Sequence, residues 1–344
     1  MKKWIWLMLL VLMTVAVVYG SVFVRQHEVS VFDSIRFENP LSVKKEAKTP
    51  VSESQSHARN ADISQVSAEN LFAHIQKLYF TRYTPVERSR TRAYITTELK
   101  KLGWKPKLEK FSDGINIIAE QPGTEKAAGT IIVAAHYDTI IISPGADDNA
   151  SGVAVLLEIA RILSSHSHPR TLQLVFFDRE EEGLLGSKAF VKNKAHLQNL
   201  HGVIVMDMVG YSCHTTGCQK YPKGLLFHPV GDKGDFVAVV GDAEHMQLLK
   251  AFQNSPDKDI PQSNLPPILT LPVPLKGLLT PDVLRSDHAP FWYQGIGAVL
   301  VTDTANLRTP HYHQPSDVPA TIDREFFAGA AQVVVNATIT LLKS

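Results

Sequence analysis

The 344-residue sequence predicts an α/β fold with a largely parallel β-sheet. Three apolar stretches are the first observation, because each has the length and composition of a buried strand: residues 131–135 (IIVAA), 171–178 (TLQLVFFD) and 203–207 (VIVMD). The second observation is that helical patterns separate these strands, an alternation typical of parallel sheets. The third is that acidic residues or histidines follow each strand, at the edge where α/β sheets keep their sites.

A capping box and a stop signal define the clearest helix. Thr84 is followed by Pro85 and then by Glu87, so a helix is predicted to begin there and to end at Leu102, before Gly103. The region 210–285 is rich in turn residues, with one strand and one helix predicted inside it. The other predicted helices are 68–79, 152–165, 187–193, 243–252 and 326–342, and the other predicted strands are 105–111, 116–120, 236–240 and 297–302.

The overall composition is that of an ordinary globular protein, with 44% hydrophobic residues, 20% charged residues and a formal net charge of +1. This charge balance gives no sign of a nucleic-acid surface, so nucleic acid is not expected as a partner. Cys213 and Cys218 are close enough for a small-loop disulfide, which an exported protein can form. Because no further pair of cysteines accompanies them, we do not expect them to bind zinc.

The N-terminus predicts a targeting segment. Lys2 and Lys3 precede Trp4–Val24, an uncharged apolar stretch that is long enough to cross a bilayer. The lysines should stay in the cytoplasm, so the rest of the chain is expected to be exported. It would be anchored through residues 4–24, facing the periplasm or cell exterior, or secreted if this segment is cleaved. The predicted organisation is an anchor or signal at 1–24, a polar linker at 25–65 and one folded domain at 66–344.

Residues of the kind that bind metal ions follow the predicted strands. His136 and Asp138 come at the end of the first strand, and the pair Asp147–Asp148 lies in the loop after it. Glu180–Glu181 and Asp207 follow the next two strands. Because the carboxyl ends of parallel strands share one edge of a sheet, these side chains are expected to converge. Gathering so much negative charge is costly without cations, so the sequence predicts a site for two metal ions.

Five motifs in order along residues 66–342 resemble those of a known family. They are HYD at 136–138, GADDNASG at 145–152, EExGxxGS at 180–187, a strand-end aspartate at 207 and YHxPxD at 312–317. Together they resemble the co-catalytic di-zinc aminopeptidases of metallopeptidase family 28, whose fold is a single α/β domain with a central mixed sheet. In the last motif, the spacing from histidine to aspartate selects His313 rather than His311.

By position, the resemblance implies a ligand set for two Zn²⁺ ions. His136 and Asp207 would bind one ion, and Glu181 and His313 would bind the other. Asp148, the second aspartate of GADDN, would bridge both ions. Imidazole and carboxylate groups are ordinary ligands of zinc.

The resemblance also implies roles for two further carboxylates. Asp138 would orient His136 without binding a metal ion itself. Glu180 would be the general base, since it is adjacent to a ligand but outside the ligand set. A hydroxide held between the two zinc ions would then attack the scissile carbonyl of a peptide with a free N-terminus. Residues 286–288 resemble a family segment near the substrate, yet they also read as a helix N-cap, so no substrate-binding residue is predicted.

Other functions on the same fold stay open. A glutaminyl cyclase would keep much of the same ligand set, although GADDNASG is the peptidase form of the bridging motif. A carboxypeptidase should present arginines to the substrate carboxylate, and Arg285 and Arg308 are the arginines between residues 180 and 323. A receptor-like, non-catalytic module, such as the transferrin receptor ectodomain, would have lost ligands that are all present here. The sequence therefore favours a zinc-dependent aminopeptidase, and it leaves the oligomeric state open.

Overall fold

The computed structural model describes residues 65–222, 225, 231–253 and 265–343. The predicted anchor at 1–24 and all but the last residue of the predicted linker at 25–65 lie outside the described residues. The account that follows therefore concerns the predicted folded domain.

The described chain contains helices and strands in alternation. The helices are α1 (Ala68–Leu78), α2 (Pro85–Lys101), α3 (Ala150–Leu163), α4 (Leu185–Lys192), α5 (Met246–Gln253), α6 (Ala289–Trp292) and α7 (Arg324–Lys343). The strands are β1 (Lys107–Lys110), β2 (Ile115–Gln121), β3 (Thr130–His136), β4 (Thr171–Phe177), β5 (Leu200–Met206), β6 (Val237–Asp242), β7 (Ile268–Val273) and β8 (Ala298–Thr302).

The strands form one mixed sheet in the order β1-β2-β4-β3-β5-β8-β6-β7. Its central strands β4, β3, β5 and β8 are parallel to one another, so their carboxyl ends lie at the same edge. The outer strands add antiparallel pairs, β1 with β2 and β2 with β4 on one side, and β6 with β8 on the other. The predicted fold class, a mixed and largely parallel sheet flanked by helices, is confirmed.

Helices cover both faces of the sheet, which explains why the central strands are apolar along their whole length. One face packs against α1, α2, α3, α5 and α7 through a large core that includes Leu71, Ile95, Leu156 and Phe327. The other face packs against α4 and α6 through Phe190, Phe291 and Trp292. Among the described residues, α7 is the one helix long and apolar enough to cross a membrane, and 78% of its apolar window is buried inside the protein.

The helix predicted from the capping box is confirmed. The Thr84 side chain accepts a hydrogen bond from the backbone N–H of Glu87, and the Glu87 carboxylate accepts one from the backbone N–H of Thr84. Strand β7, Ile268–Val273, was not predicted, because it lies in the turn-rich region and contains Pro272. Among the described strands it pairs with β6 alone and so lies at the edge of the sheet, the position where strands tolerate proline. This unpredicted edge strand helps to form the pocket described below.

The first described residues are held against the domain, which predicts where the folded unit begins. The backbone N–H of Val66 donates to Gln332 at 2.9 Å, and that of Ser67 donates to the buried Glu158 at 2.6 Å. Helix α1 then buries Leu71, Ile75 and Leu78 completely.

A chain beginning at residue 65 is therefore expected to unfold in urea at the same midpoint as a longer chain, whereas a chain beginning at residue 81 should unfold far earlier. The large apolar side chains of α1 contribute about 1.5–3 kcal/mol each when buried, against a total stability of about 5–15 kcal/mol. Circular dichroism during urea titration measures both midpoints. Equal midpoints for the two shortened chains would contradict this boundary.

Candidate metal centre

The predicted metal ligands come together at the carboxyl edge of the central strands. His136 is the last residue of β3, Asp207 directly follows β5, and Glu180 and Glu181 follow β4. Two groups form there, in each of which one potential ligand atom per residue lies within 4.8 Å of the others. The first group is His136, Glu180 and Asp207, and the second is Asp148, Glu181 and His313.

Asp148 lies between the two histidines. One of its carboxylate oxygens is 3.4 Å from Nε2 of His136, and the other is 3.3 Å from Nε2 of His313. Nε2 of His136 is also 3.4 Å from Asp207, and Nε2 of His313 is 2.9 Å from Glu181. A single carboxylate therefore connects two imidazole–carboxylate pairs.

The protonation of these groups follows from burial and from the excess of carboxylates. Burial opposes the charged form of His136, yet Glu180 and hydrogen bonds to carboxylates outweigh it and raise its pKa well above the usual value. Burial also opposes the charged form of His313, but hydrogen bonds to Asp148 and Glu181 raise its pKa to about 10. Burial and the neighbouring Asp148 raise the pKa of Glu181 to about 7. Protons thus offset part of the negative charge of this cluster in the metal-free protein.

The donor set suits metal cations better than protons. Imidazole and carboxylate groups are zinc ligands, and a divalent cation would offset several like charges at once. Oε1 of Glu181 is buried and has no hydrogen-bond partner among the described residues, so a strong acceptor is left free inside the cluster. The residues present therefore fit a bound metal.

Arg82 fixes the loop that carries Asp148. Its side chain is fully buried and donates to the backbone carbonyls of Pro144 and Gly145 at 2.9 Å each, and to that of Asp148 at 3.4 Å. It also donates to the carbonyl of Tyr137 at 2.8 Å. Gly145 has φ +60°, and a Cβ there would lie 2.1 Å from the Asp148 carbonyl oxygen, so the tight loop needs glycine. The sequence did not reveal this role of Arg82, because no local pattern identifies the backbone carbonyls to which its side chain donates.

Two polar side chains tie the Asp148 loop to neighbouring segments. The carboxylate of Asp317 accepts the backbone N–H groups of Asp147 and Asp148 at 2.8 and 3.0 Å, which explains the fixed spacing after His313. The amide of Asn149 donates to the carbonyl of Met206 at 2.9 Å, at the end of β5. These bonds hold the loop in register with the strand that precedes Asp207.

Asp138 connects His136 with the two glutamates. Its carboxylate lies 3.5 Å from Nδ1 of His136 and accepts the backbone N–H groups of Glu180 and Glu181 at 3.1 and 3.2 Å. One buried carboxylate is thus in contact with residues from two adjacent strand ends. The bonds to the glutamate backbone were not foreseen from the sequence.

Two neighbouring residues, Asp147 and His311, belong to neither metal-binding group. Asp147 accepts the backbone N–H of Gly210 at 2.8 Å, and burial together with Asp303 raises its pKa. Nδ1 of His311 lies 2.9 Å from the hydroxyl oxygen of Ser316.

The segment 286–288 does not provide a side-chain cap for α6. Instead Asp287 is fully buried, neither of its carboxylate oxygens has a hydrogen-bond partner among the described residues, and burial raises its pKa to about 7.

A pocket of about 470 Å³ opens beside the two groups, a size suited to a small ligand. Asp148, Glu180, Glu181, Asp207 and His313 line one end. Its wall is apolar and comes from strands β6, β7 and β8 and the residue before β6: Phe236, Ala238, Val240, Leu269, Leu271 and Leu300. Cys213 and Cys218 form a disulfide, and Gln219 and Lys220, which directly follow it, also line the pocket.

Comparison with known proteins agrees with this arrangement. Residues 116–228 match the profile of Peptidase family M28. The chain is 35% identical over 228 residues to "Uncharacterized protein YfbL" of Escherichia coli, covering 62% of this chain and 66% of that protein. It is 39% identical over 235 residues to "Aminopeptidase YwaD" of Bacillus subtilis, covering 66% of this chain but only 45% of the relative.

The fold is also that of solved aminopeptidases. The structure of the LapA aminopeptidase of Legionella pneumophila superimposes with a TM-score of 0.65 at 18% identity, covering 88% of this chain and 78% of that one. From the profile match and the relatives, we conclude that the chain contains a domain of peptidase family M28.

Proposed function

We propose that this protein is a zinc-dependent aminopeptidase that removes N-terminal residues from peptides. The observation that carries the proposal is the position of Asp148 between two imidazole–carboxylate pairs, at the end of an apolar pocket. Membership of a peptidase family and the similarity to a protein named aminopeptidase support it. Because the chain spans 66% of YfbL and less than half of YwaD, the activity of the whole protein is a proposal.

Two zinc ions would be held by three protein ligands each. His136 and Asp207 would bind one ion, Glu181 and His313 the other, and Asp148 both, which is the ligand number typical of catalytic zinc. When bound, the ions would supply Lewis acidity at the scissile carbonyl and lower the pKa of a bound water. Three carboxylates against two divalent cations leave the site with a small positive charge.

Glu180 lies in the same group as His136 and Asp207, but the proposed ligand set does not use it, which leaves it free to act as the general base. Its side chain is nearly fully buried, and burial raises its pKa well above the usual value, with Asp207 adding to the effect and His136 opposing it. Asp138 accepts the backbone N–H of Glu180 at 3.1 Å, which holds the backbone of Glu180 beside the ligands. Glu180 would take the proton of the attacking water and pass it to the leaving amine.

The alternative functions have less support. A carboxypeptidase should present an arginine to the substrate carboxylate. Arg308 is buried and bonded to Gln219 and to the carbonyls of Tyr211 and Phe236, whereas Arg285 is exposed and lines the pocket, so the N-acetylation test below must separate a carboxypeptidase from an aminopeptidase. A glutaminyl cyclase would share the fold and much of the ligand set, so substrate tests must separate it from an aminopeptidase.

We also propose that the catalytic domain lies outside the cytoplasm. Lys2, Lys3 and the apolar stretch 4–24 support export, as an anchored or a secreted protein. The disulfide between Cys213 and Cys218 adds support, because such bonds persist in oxidising compartments.

The assignment of Glu180 predicts that metal binding and turnover can be separated. Glu180→Gln is expected to keep both zinc ions and to lower kcat by about 10²–10⁴-fold, the range usual for general acid–base catalysis. Steady-state kinetics and elemental analysis of the purified protein measure the two properties. Turnover near the wild-type rate, or the loss of one zinc ion, would refute the assignment.

Zinc binding should depend strongly on pH. In the metal-free protein the pKa of His313 is about 10, so below that pH zinc must displace its proton. Apparent affinity is therefore expected to rise by about tenfold or more per pH unit between about pH 6 and pH 9. Competition with a chromophoric chelator measures this slope, and an affinity independent of pH would contradict it.

An aminopeptidase should require a free α-amine on its substrate. The acidic end of the pocket can receive an ammonium group, and N-acetylation removes that contact. We expect acetylation of one peptide to lower kcat/KM sharply at equal zinc concentration, as measured by chromatography of the products. Equal cleavage of both forms would instead favour an endopeptidase or carboxypeptidase. Release of ammonia from an N-terminal glutamine peptide, without cleavage, would establish a cyclase.

A further inference from the structure

We infer that Arg285 binds the C-terminal carboxylate of the substrate, so that the preferred substrates are dipeptides and tripeptides. This inference rests on the proposed aminopeptidase function and names its substrate class. It starts from a cation that lines the rim of the pocket, outside both metal-binding groups.

The guanidinium of Arg285 is held in a fixed orientation at this rim. It donates to Asn306 at 3.1 Å and to the hydroxyl of Tyr312 at 2.8 Å, and its carbon lies 5.6 Å from the centre of the Tyr312 ring. The Tyr312 ring in turn stacks on His313, with 3.8 Å between ring centres. An arginine has five N–H groups, and these two bonds leave others free to bind a carboxylate in the exposed rim.

The pocket lining carries charges of both signs. The acidic residues of the two metal-binding groups are buried or half-buried, whereas the cations Arg285, Lys188 and Lys220 are exposed and so mark the rim. Asp282 also lines the rim, but it forms no ion pair with Arg285 among the described residues. A short peptide has the same polarity, with an ammonium at one end and a carboxylate at the other, whereas the C-terminus of a long peptide would lie far outside.

The distances set the length of the substrate. Arg285 is separated from His313 by little more than the Tyr312 ring. Two or three extended residues span at most about 7–11 Å, which is enough to reach from the metal ligands to the rim. The apolar wall between these ends suits uncharged side chains, so the expected substrates are short apolar peptides.

The other cations at the rim are weaker candidates. Lys188 is exposed and its ammonium donates to the carbonyl of Gly183 at 2.9 Å, and Lys220 is exposed on the opposite segment, after the disulfide. Neither presents a planar pair of donors, which is the geometry that recognises a carboxylate through two hydrogen bonds. These two lysines are therefore suitable positions for matched control variants.

The test compares Leu-Ala with its C-terminal amide, which differs only in the carboxylate. For the zinc-loaded wild type we expect kcat/KM for the acid to exceed that for the amide by about 10–100-fold, mainly through KM, as the loss of a charged hydrogen bond implies. Arg285→Gln should bring this ratio close to one, and Arg285→Lys should restore part of it. Lys188→Gln and Lys220→Gln should keep the wild-type ratio.

Three results would overturn the inference. The first is a wild-type ratio of kcat/KM, acid over amide, near one. The second is an equal fall of this ratio in the lysine variants, and the third is an unchanged ratio in Arg285→Gln with both substrates impaired, which would mean that Arg285 acts only through Tyr312. Calorimetry with the same two probes and zinc-loaded Glu180→Gln protein repeats the comparison without turnover. If no leucine is released by the wild type but the acid binds more tightly than the amide, the proposed function fails while the carboxylate site stands.

Discussion

The convergence of carboxylates at one edge of the sheet is the constraint on which the rest of the structure depends. Parallel strands β3, β4 and β5 bring their following residues together, and like charges so close repel one another. Hydrogen bonds to the backbone hold the cluster in place despite this repulsion. Arg82 holds the Asp148 loop through backbone carbonyls, Asp317 holds it through backbone N–H groups, and Asp138 holds the glutamates. A rigid, acidic cavity of this kind is prepared for cations.

Much of this arrangement could be predicted, because the central strands and the residues that follow them are marked by local sequence patterns. The stretches before His136, Glu180 and Asp207 are apolar along their length, as expected for strands buried on both faces. Because the carboxyl ends of parallel strands lie at the same edge of a sheet, the residues that follow these strands are expected to lie close together. What the sequence did not reveal depends on contacts between distant segments. Arg82 lies far from its partner carbonyls, and strand β7 combines a proline with a turn-rich neighbourhood, so only the assembled sheet shows its edge position.

The pocket joins both kinds of feature. Its inner end is made of motif residues, while its wall is made of strands β6, β7 and β8 and its rim of segments before and after them. The disulfide between Cys213 and Cys218 lies immediately before two lining residues and so braces one side of the opening. The proposed chemistry and the proposed substrate length therefore rest on different parts of the sequence.

The central claim is that Asp148 joins two metal ions. X-ray diffraction from crystals of the zinc-loaded protein, recorded on both sides of the zinc absorption edge, locates each ion directly. The account predicts two anomalous peaks per chain, one contacting His136 and Asp207, the other contacting Glu181 and His313, and both contacting the carboxylate of Asp148. A single peak, or two peaks of which only one contacts Asp148, would contradict it.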